Sequence, residues 1–215
     1  MKQKKKTKKN RWDDHYTLKA RKEKHPARSV YKLEEIQKKY HVIKKGHRVL
    51  DLGCAPGSWL LYAAGIVGSK GNVVGIDKKP VTINVPPHVT IISDNIMSLG
   101  EENTAALAGP FHVVLNDMAP STTGNKIVDE ARSLGLCETA LEIAKKQMVS
   151  GGTFICKIFQ GGDIKLFTDA VRVCFTTVKI FKPKSSRKAS REIFIIGFRK
   201  KQEENICQVT ANGLQ

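Results

Sequence analysis

A chain of 215 residues, 40% of them hydrophobic, can bury a full core without disulfide staples, so one domain with appendages is expected. No apolar run is long enough to span a bilayer, and the N-terminal "MKQKKKTKKNRW" lacks both the apolar segment of a secretory signal and the Arg- and Ser-rich pattern of a mitochondrial presequence. The net charge of +17 is concentrated: residues 1–48 hold 18 Lys and Arg against 5 Asp and Glu, the remainder 19 against 15.

Residues 1–12 form a like-charge block with little to bury and are expected to be a disordered basic tail. "ARSVYKLEEIQKKYHVI" (27–43) places Val30, Leu33, Ile36 and Tyr40 at helical spacing. Strands and helices then alternate. Short β-branched runs occur at 48–53, 72–77, 89–94, 111–117 and 152–159, with helices at about 58–67, 129–149 and 161–174 between them. Two further strands, 177–183 and 191–198, flank a second basic cluster in "KIFKPKSSRKASR" (179–191). The pattern predicts an α/β fold, a seven-stranded, mostly parallel, doubly wound sheet. The last two strands have no crossover helix and should pair antiparallel, giving one antiparallel strand. The domain spans 13–200, and 201–215 is expected to fray.

A near-neutral body with two basic segments points to a polyanion partner, RNA or DNA. The five cysteines show no CxxC pair and no paired spacing with the scattered histidines. Reduced thiols in a cytoplasm and no metal site are therefore expected.

"VLDLGCAPGSW" joins the first strand to the first crossover helix, where open α/β sheets bind ligands. Gly53 and Gly57 permit close backbone approach. The loop is not the dinucleotide GxGxxG, and Asp51 and Pro56 in it point to a ligand without phosphate. Acidic residues end three strands: Asp77, Asp94 and Asp117. They suit ribose hydroxyls, an adenine amino group and an ammonium respectively. Together these describe S-adenosyl-L-methionine, a cation without phosphate. In "GGTFICKIFQGG" (151–162) a lysine, Lys157, interrupts an apolar strand, although lysine is rarely buried without compensation.

With "ARSVYKLEEI", "VLDLGCAPGSW", "VVGIDKKP", "SDNI", "VLNDMAPSTTGN", "GGTFICKIFQG" and "SSRKASREIFIIG", the chain resembles the bacterial FtsJ/RrmJ family of RNA ribose 2′-O-methyltransferases from about Lys19 to Lys200. The resemblance implies a Rossmann-like methyltransferase fold, a catalytic tetrad at Lys32, Asp117, Lys157 and Glu192, and cofactor contacts at Gly57, Trp59, Asp77, Asp94 and Asp117. Gly53 joins them from the loop reading. The family usually reads PGGW, and Ser58 stands where its second glycine would be. The compact single-domain length is similar to members that methylate a uridine of 23S rRNA in the large ribosomal subunit. Members acting on tRNA or mRNA caps usually carry additional sequence.

Methyl transfer from a sulfonium to a ribose hydroxyl needs in-line positioning and departure of the hydroxyl proton. Lys157 can act as base if neutral, or position by electrostatics; base is preferred. The expected protein is a monomeric cytoplasmic RNA 2′-O-methyltransferase. A tRNA enzyme and a non-catalytic RNA-binding assembly factor are the alternatives.

Overall fold

Strand β1 (Arg48–Leu52) is buried along almost its whole length, as a central strand covered on both faces must be. Its side chains alternate: Val49 faces one core layer, Leu50 and Leu52 the other. The structure, a computed structural model, describes residues 11–99, 107, 109–161, 164–187 and 189–202. The expected tail 1–12 and frayed segment 201–215 lie mostly outside these. Arg11 opens helix α1 (Arg11–Lys22), so the last two residues of the stretch read as tail are helical.

Helix α2 (Val30–Tyr40) is followed by β1, α3 (Ser58–Val67), β2 (Asn72–Asp77), β3 (Val89–Ser93), a 3-10 turn (Ile96–Ser98) and β4 (Phe111–Asn116). Then come α4 (Lys126–Gln147), β5 (Met148–Phe159), α5 (Ile164–Cys174), β6 (Phe175–Phe181) and β7 (Glu192–Lys200). The strands form one sheet in the order β3-β2-β1-β4-β5-β7-β6. All pairings are parallel except those of β7, which runs antiparallel to both β5 and β6. This is the expected doubly wound sheet with one antiparallel strand.

Leu33 and Ile36 of α2 and Ala63 and Ala64 of α3 pack on Val49, Val113, Leu115 and Ile155. Ala140, Leu141 and Ala144 of α4, with Phe167 and Val171 of α5, pack on Leu50, Val114, Phe154 and Cys156. Each fully buried Leu or Ile contributes about 1.5–3 kcal/mol. Helix α2 is shorter than its apolar period suggests. His41 adopts φ 50° and its N–H caps the Gln37 carbonyl at 2.8 Å. Strand β5 starts four residues earlier than expected, with a register shift opposite Phe111–Val113; Gly151, at φ +81°, supplies a left-handed backbone that a strand pattern does not announce.

Among the described residues two lysines are buried in the sheet. Lys200 at the end of β7 donates to the carbonyls of Lys145 and Met148, the latter at 3.0 Å, at the C-terminal end of α4. There the partial negative charge of the helix end favours a cation. Lys157 is compensated differently, as described below.

The basic segment between β6 and β7 is tied to α2. Both Glu35 carboxylate oxygens accept backbone N–H bonds, from Lys184 at 2.7 Å and Ser185 at 2.8 Å, and Arg28 donates to the Ser185 carbonyl at 2.6 Å. Replacing Glu35 by Ala leaves the N–H of Ser185, a buried residue, without its acceptor, at a cost of about 1–3 kcal/mol. Urea unfolding of Glu35→Ala is expected to show that loss, with Glu35→Gln intermediate because one acceptor oxygen remains. A Glu35→Ala midpoint matching wild type would show that the segment is held by other contacts.

Candidate active site

Strand order reverses between β1 and β4, and the crevice outside their carboxyl ends is where doubly wound sheets take ligands. Four of the residues singled out in the sequence meet beside it. Alternation puts Lys157 on the same face of β5 as Ile155, Glu192 on the same face of β7 as Phe194, and Asp117 in phase with Leu115. That is the face covered by α2, which carries Lys32. The Lys157 ammonium lies 2.9 Å from Asp117 Oδ1 and 3.9 Å from Glu192 Oε1. It also donates to the Asp117 backbone carbonyl. Lys32 Nζ lies 3.1 Å from Glu192 Oε2 and 3.5 Å from Asp117 Oδ1.

Each carboxylate thus touches both lysines, and the four charges cancel. Lys157 is only 4% exposed, so the pairing is what compensates its burial. Burial pushes the Lys32 pKa down, but the Asp117 and Glu192 carboxylates outweigh it and leave the pKa above the ordinary lysine value. Burial pushes the Asp117 carboxyl up, but Lys157 and Lys32 outweigh that and hold it below the usual carboxylate value. Phe194 floors the cluster, 5.8 Å from Lys32 Nζ and stacked on Trp59 at 5.7 Å.

Next to the cluster, a cavity of about 320 Å³ is lined by Gly53, Asp77, Asp117 and the "NIM" and "MAPS" segments. Gly53 is at φ +79°, and a Cβ there would come 2.4 Å from Met118 Cγ, so only glycine leaves this wall in place. Asp77 accepts N–H bonds from Ala55 at 3.0 Å and Lys79 at 2.8 Å, shaping the loop with the carboxylate a ligand would meet. The other expected cofactor residues do not line this cavity. Asp94 ends β3 beside it and bonds the Asn95 N–H at 2.6 Å. Gly57 caps α3 at φ +104°. Trp59 is buried, its indole N–H donating to the Ser29 carbonyl at 2.8 Å.

Several contributors were not singled out from sequence. Buried Asn116 accepts the Met118 N–H at 2.9 Å and donates to Cys156 Sγ at 3.2 Å, fixing the turn that aims Asp117. Arg28 and Arg187 line a second cavity, of about 430 Å³, with Lys32 and Glu192. Their signal was the basic composition around them, which names no particular residue.

The sequence profile of the FtsJ-like methyltransferases matches residues 26–200. The chain belongs to this family. A relative from Desulforapulum autotrophicum, named ribosomal RNA large subunit methyltransferase E, is 54% identical over 91% of this chain and 97% of its own. One of the same name from Desulfosudis oleivorans is 48% identical over 93% and 97%. The crystal structure of a ribosomal RNA methyltransferase from Plasmodium falciparum, 28% identical, covers 82% of this chain and 98% of its own with a TM-score of 0.68.

As an FtsJ-like methyltransferase the chain is an enzyme that needs a methyl donor, and the cavity at Gly53 and Asp77 adjoins the lysine–carboxylate cluster. Ser58, where the family has glycine, is accommodated without opening the fold. It is 2% exposed, opens α3, and its hydroxyl donates to the Ala27 carbonyl at 3.2 Å. Among the described residues no helix is long and apolar enough to cross a membrane.

One carboxyl of this FtsJ-like methyltransferase is out of balance. Asp51 on β1 is 1% exposed, and its Oδ2 has no hydrogen-bond partner. Burial, with the Asp117 and Asp77 carboxylates adding to it, raises its pKa to about 8. Between its ordinary value and about 8 the folded chain binds a proton that the unfolded chain does not, so this contribution to stability falls as pH rises through that window. Asp51→Asn removes the titration. The melting temperature of the variant relative to wild type is expected to climb from about pH 5 and level off above about pH 8. A difference that stays constant with pH would mean Asp51 is ionised in the fold.

Proposed function

We propose that this FtsJ-like methyltransferase transfers a methyl group from S-adenosyl-L-methionine to a ribose 2′-hydroxyl of large-subunit ribosomal RNA, a uridine of 23S rRNA, acting as a monomer in the cytoplasm. The observation that carries the reading is the buried Lys32–Asp117–Lys157–Glu192 cluster, set between the donor cavity and a cavity flanked by Arg28 and Arg187. The substrate assignment rests on relatives about half identical to this chain that are named as large-subunit ribosomal RNA methyltransferases.

The residues present suit the donor. Gly53 leaves the cavity wall clear, Asp77 offers a carboxylate for ribose hydroxyls, Asp117 offers one for an ammonium group, and Asp94 stands beside the Asn95–Met97 wall. Gly57 and Trp59 act further back, shaping the start of α3 and its junction with α2. When bound, S-adenosyl-L-methionine supplies an electrophilic methyl group on a sulfonium.

The remaining steps belong to the chain. The raised pKa keeps Lys32 an ammonium and the lowered one keeps Asp117 a carboxylate, so neither is the base for a hydroxyl proton. Lys157 takes that role: the ribose O–H breaks and its proton passes to the Lys157 amine, while the donor, held by Asp77 and Asp117, would supply the methyl group as its carbon–sulfur bond breaks to leave a neutral thioether. Glu192 holds Lys32 beside the ribose.

Mapping ribose methylation across total RNA in cells with and without the gene tests the substrate, and loss of a single large-subunit site is expected. Lys157→Met leaves Asp117 and Glu192 with Lys32 alone, so it is expected to lower stability by about 3–5 kcal/mol and, in the protein that remains folded, to slow single turnover on the order of 10²–10⁴-fold. Lys157→Arg should fail equally, since guanidinium does not give up its proton. The wild-type single-turnover rate should rise with pH and then level off as the amine becomes neutral. Near wild-type chemistry and pH profile in Lys157→Arg would reassign Lys157 to electrostatic positioning.

A further inference from the structure

At the opposite end of the sheet, where β1, β4 and β5 begin, lies a cavity of about 530 Å³ to which no catalytic or donor-binding residue contributes. Lys44, Lys179, Arg199, His41, His47 and His112 line it, and no Asp or Glu does. Among the described residues neither Lys44 nor Lys179 has a carboxylate partner, and the Arg199 guanidinium donates to the Thr177 hydroxyl, at 2.8 Å.

The histidines separate this cavity from a merely solvated basic face. His47 and His112 stack with ring centroids 4.7 Å apart and planes 11° from parallel. Each Nδ1 accepts a backbone N–H, from Lys44 at 3.3 Å for His47 and from Arg48 at 3.0 Å for His112. A nitrogen that accepts carries no proton, so His47 is neutral and each ring has its Nε2 left to donate. Burial, followed by the neighbouring His112 and Lys44, moves the His47 pKa below its ordinary value in the same sense. Each of the two stacked rings thus offers an Nε2–H donor, with no protein acceptor for either among the described residues.

The wall is also fixed in place. Gln37 clamps the loop after α2 with both ends of its amide, donating to the Ile43 carbonyl at 2.8 Å and accepting the Ile43 N–H at 2.9 Å. Donors without acceptors, three cations without carboxylates and a concave, braced wall call for a ligand that only accepts hydrogen bonds and carries negative charge. A metal does not fit, since the described residues contain no group of three or more His, Cys, Asp or Glu that could hold one.

We propose that this cavity is a second phosphate-binding site, which grips the backbone of the RNA substrate at a point remote from the methylated ribose. Its RNA source rests on the function proposed above; the phosphate chemistry does not. From Gly151 at the cavity to Lys157 in the cluster is six residues along β5, roughly 20 Å of strand, so the two sites engage different parts of a folded RNA.

The test uses the full chain and the double variant Lys44→Glu/Lys179→Glu, both positions being exposed. Binding to large-subunit ribosomal RNA from cells lacking the gene should weaken about tenfold or more. The slope of log affinity against log salt should flatten by roughly 0.7–0.9 for each phosphate that the variant no longer engages. Apparent KM for that RNA should rise in proportion, with kcat at saturating RNA unchanged. In parallel, inorganic phosphate should move the imidazole NMR signals of His47 and His112 in wild type but not in the variant. Phosphate-dependent shifts with unchanged RNA affinity would assign the site to a free phosphate group instead of the RNA backbone. Wild-type affinity and salt slope in the variant, with histidine signals that phosphate leaves unmoved, would overturn the site altogether. Wild type that shows the shifts yet methylates no RNA would defeat the proposed function and leave the phosphate site standing.

Discussion

Four charges buried in one place constrain this fold more than any single hydrophobic contact. An isolated ammonium at the position of Lys157 would be expelled or neutralised, and removing one partner of a buried pair is typically worth about 3–5 kcal/mol. The solution is an alternating ring in which each lysine contacts both carboxylates. It works only if α2, the end of β4, the end of β5 and the start of β7 arrive together. The antiparallel insertion of β7 between β5 and β6 brings Glu192 alongside Lys157, because β7 begins where β5 ends. A parallel strand in the same slot would start at the other end of the sheet, far from the cluster.

Much of this was legible in the chain. The strands are short β-branched runs and the crossovers have helical period, so the sheet and its one antiparallel strand follow from pattern. Lys157 stood out because an apolar strand has no ordinary use for an ammonium group. Lys200 carried no such signal: it lies at the end of a strand in a basic stretch, and its burial depends on the C-terminal carbonyls of α4. The early start of β5 was hidden because a glycine turn and a register shift look like a loop in sequence. The roles of Trp59 and Asn116 were hidden for another reason. A motif shows that a residue is needed, but a tryptophan bonding Ser29 across a helix junction reads the same as one touching a ligand.

The sheet also separates two kinds of chemistry. At the carboxyl ends burial, with the Asp117 and Asp77 carboxylates adding to it, raises the pKa of Asp51. Lys78 and Lys79 line the same cavity as Asp77 and Asp117, so charges of both signs meet a ligand there. At the amino ends the lining is basic or neutral throughout. The proposed methyl donor, a cation, and the proposed RNA contact at the amino ends make opposite electrostatic demands, and the two proposed sites lie on different surfaces.

The region where the two demands come closest is the segment between β6 and β7, and its anchoring follows the same logic. Its carboxylate anchors come from helices on opposite faces of the sheet. Glu35 of α2 takes the backbone N–H groups of Lys184 and Ser185, and Glu130 of α4 pairs with Arg191. Glu35 therefore holds Lys184 by its main chain and leaves the ammonium without a carboxylate partner among the described residues. Lys182 likewise donates to a carbonyl, that of Ser190 at 3.1 Å, which fixes its position without cancelling its charge. Had those carboxylates bonded the lysine side chains, the segment would be equally well tethered but electrostatically mute. Glu35's hold on the main chain fixes Lys184 and Ser185 against α2 while the Lys184 charge stays available to a polyanion.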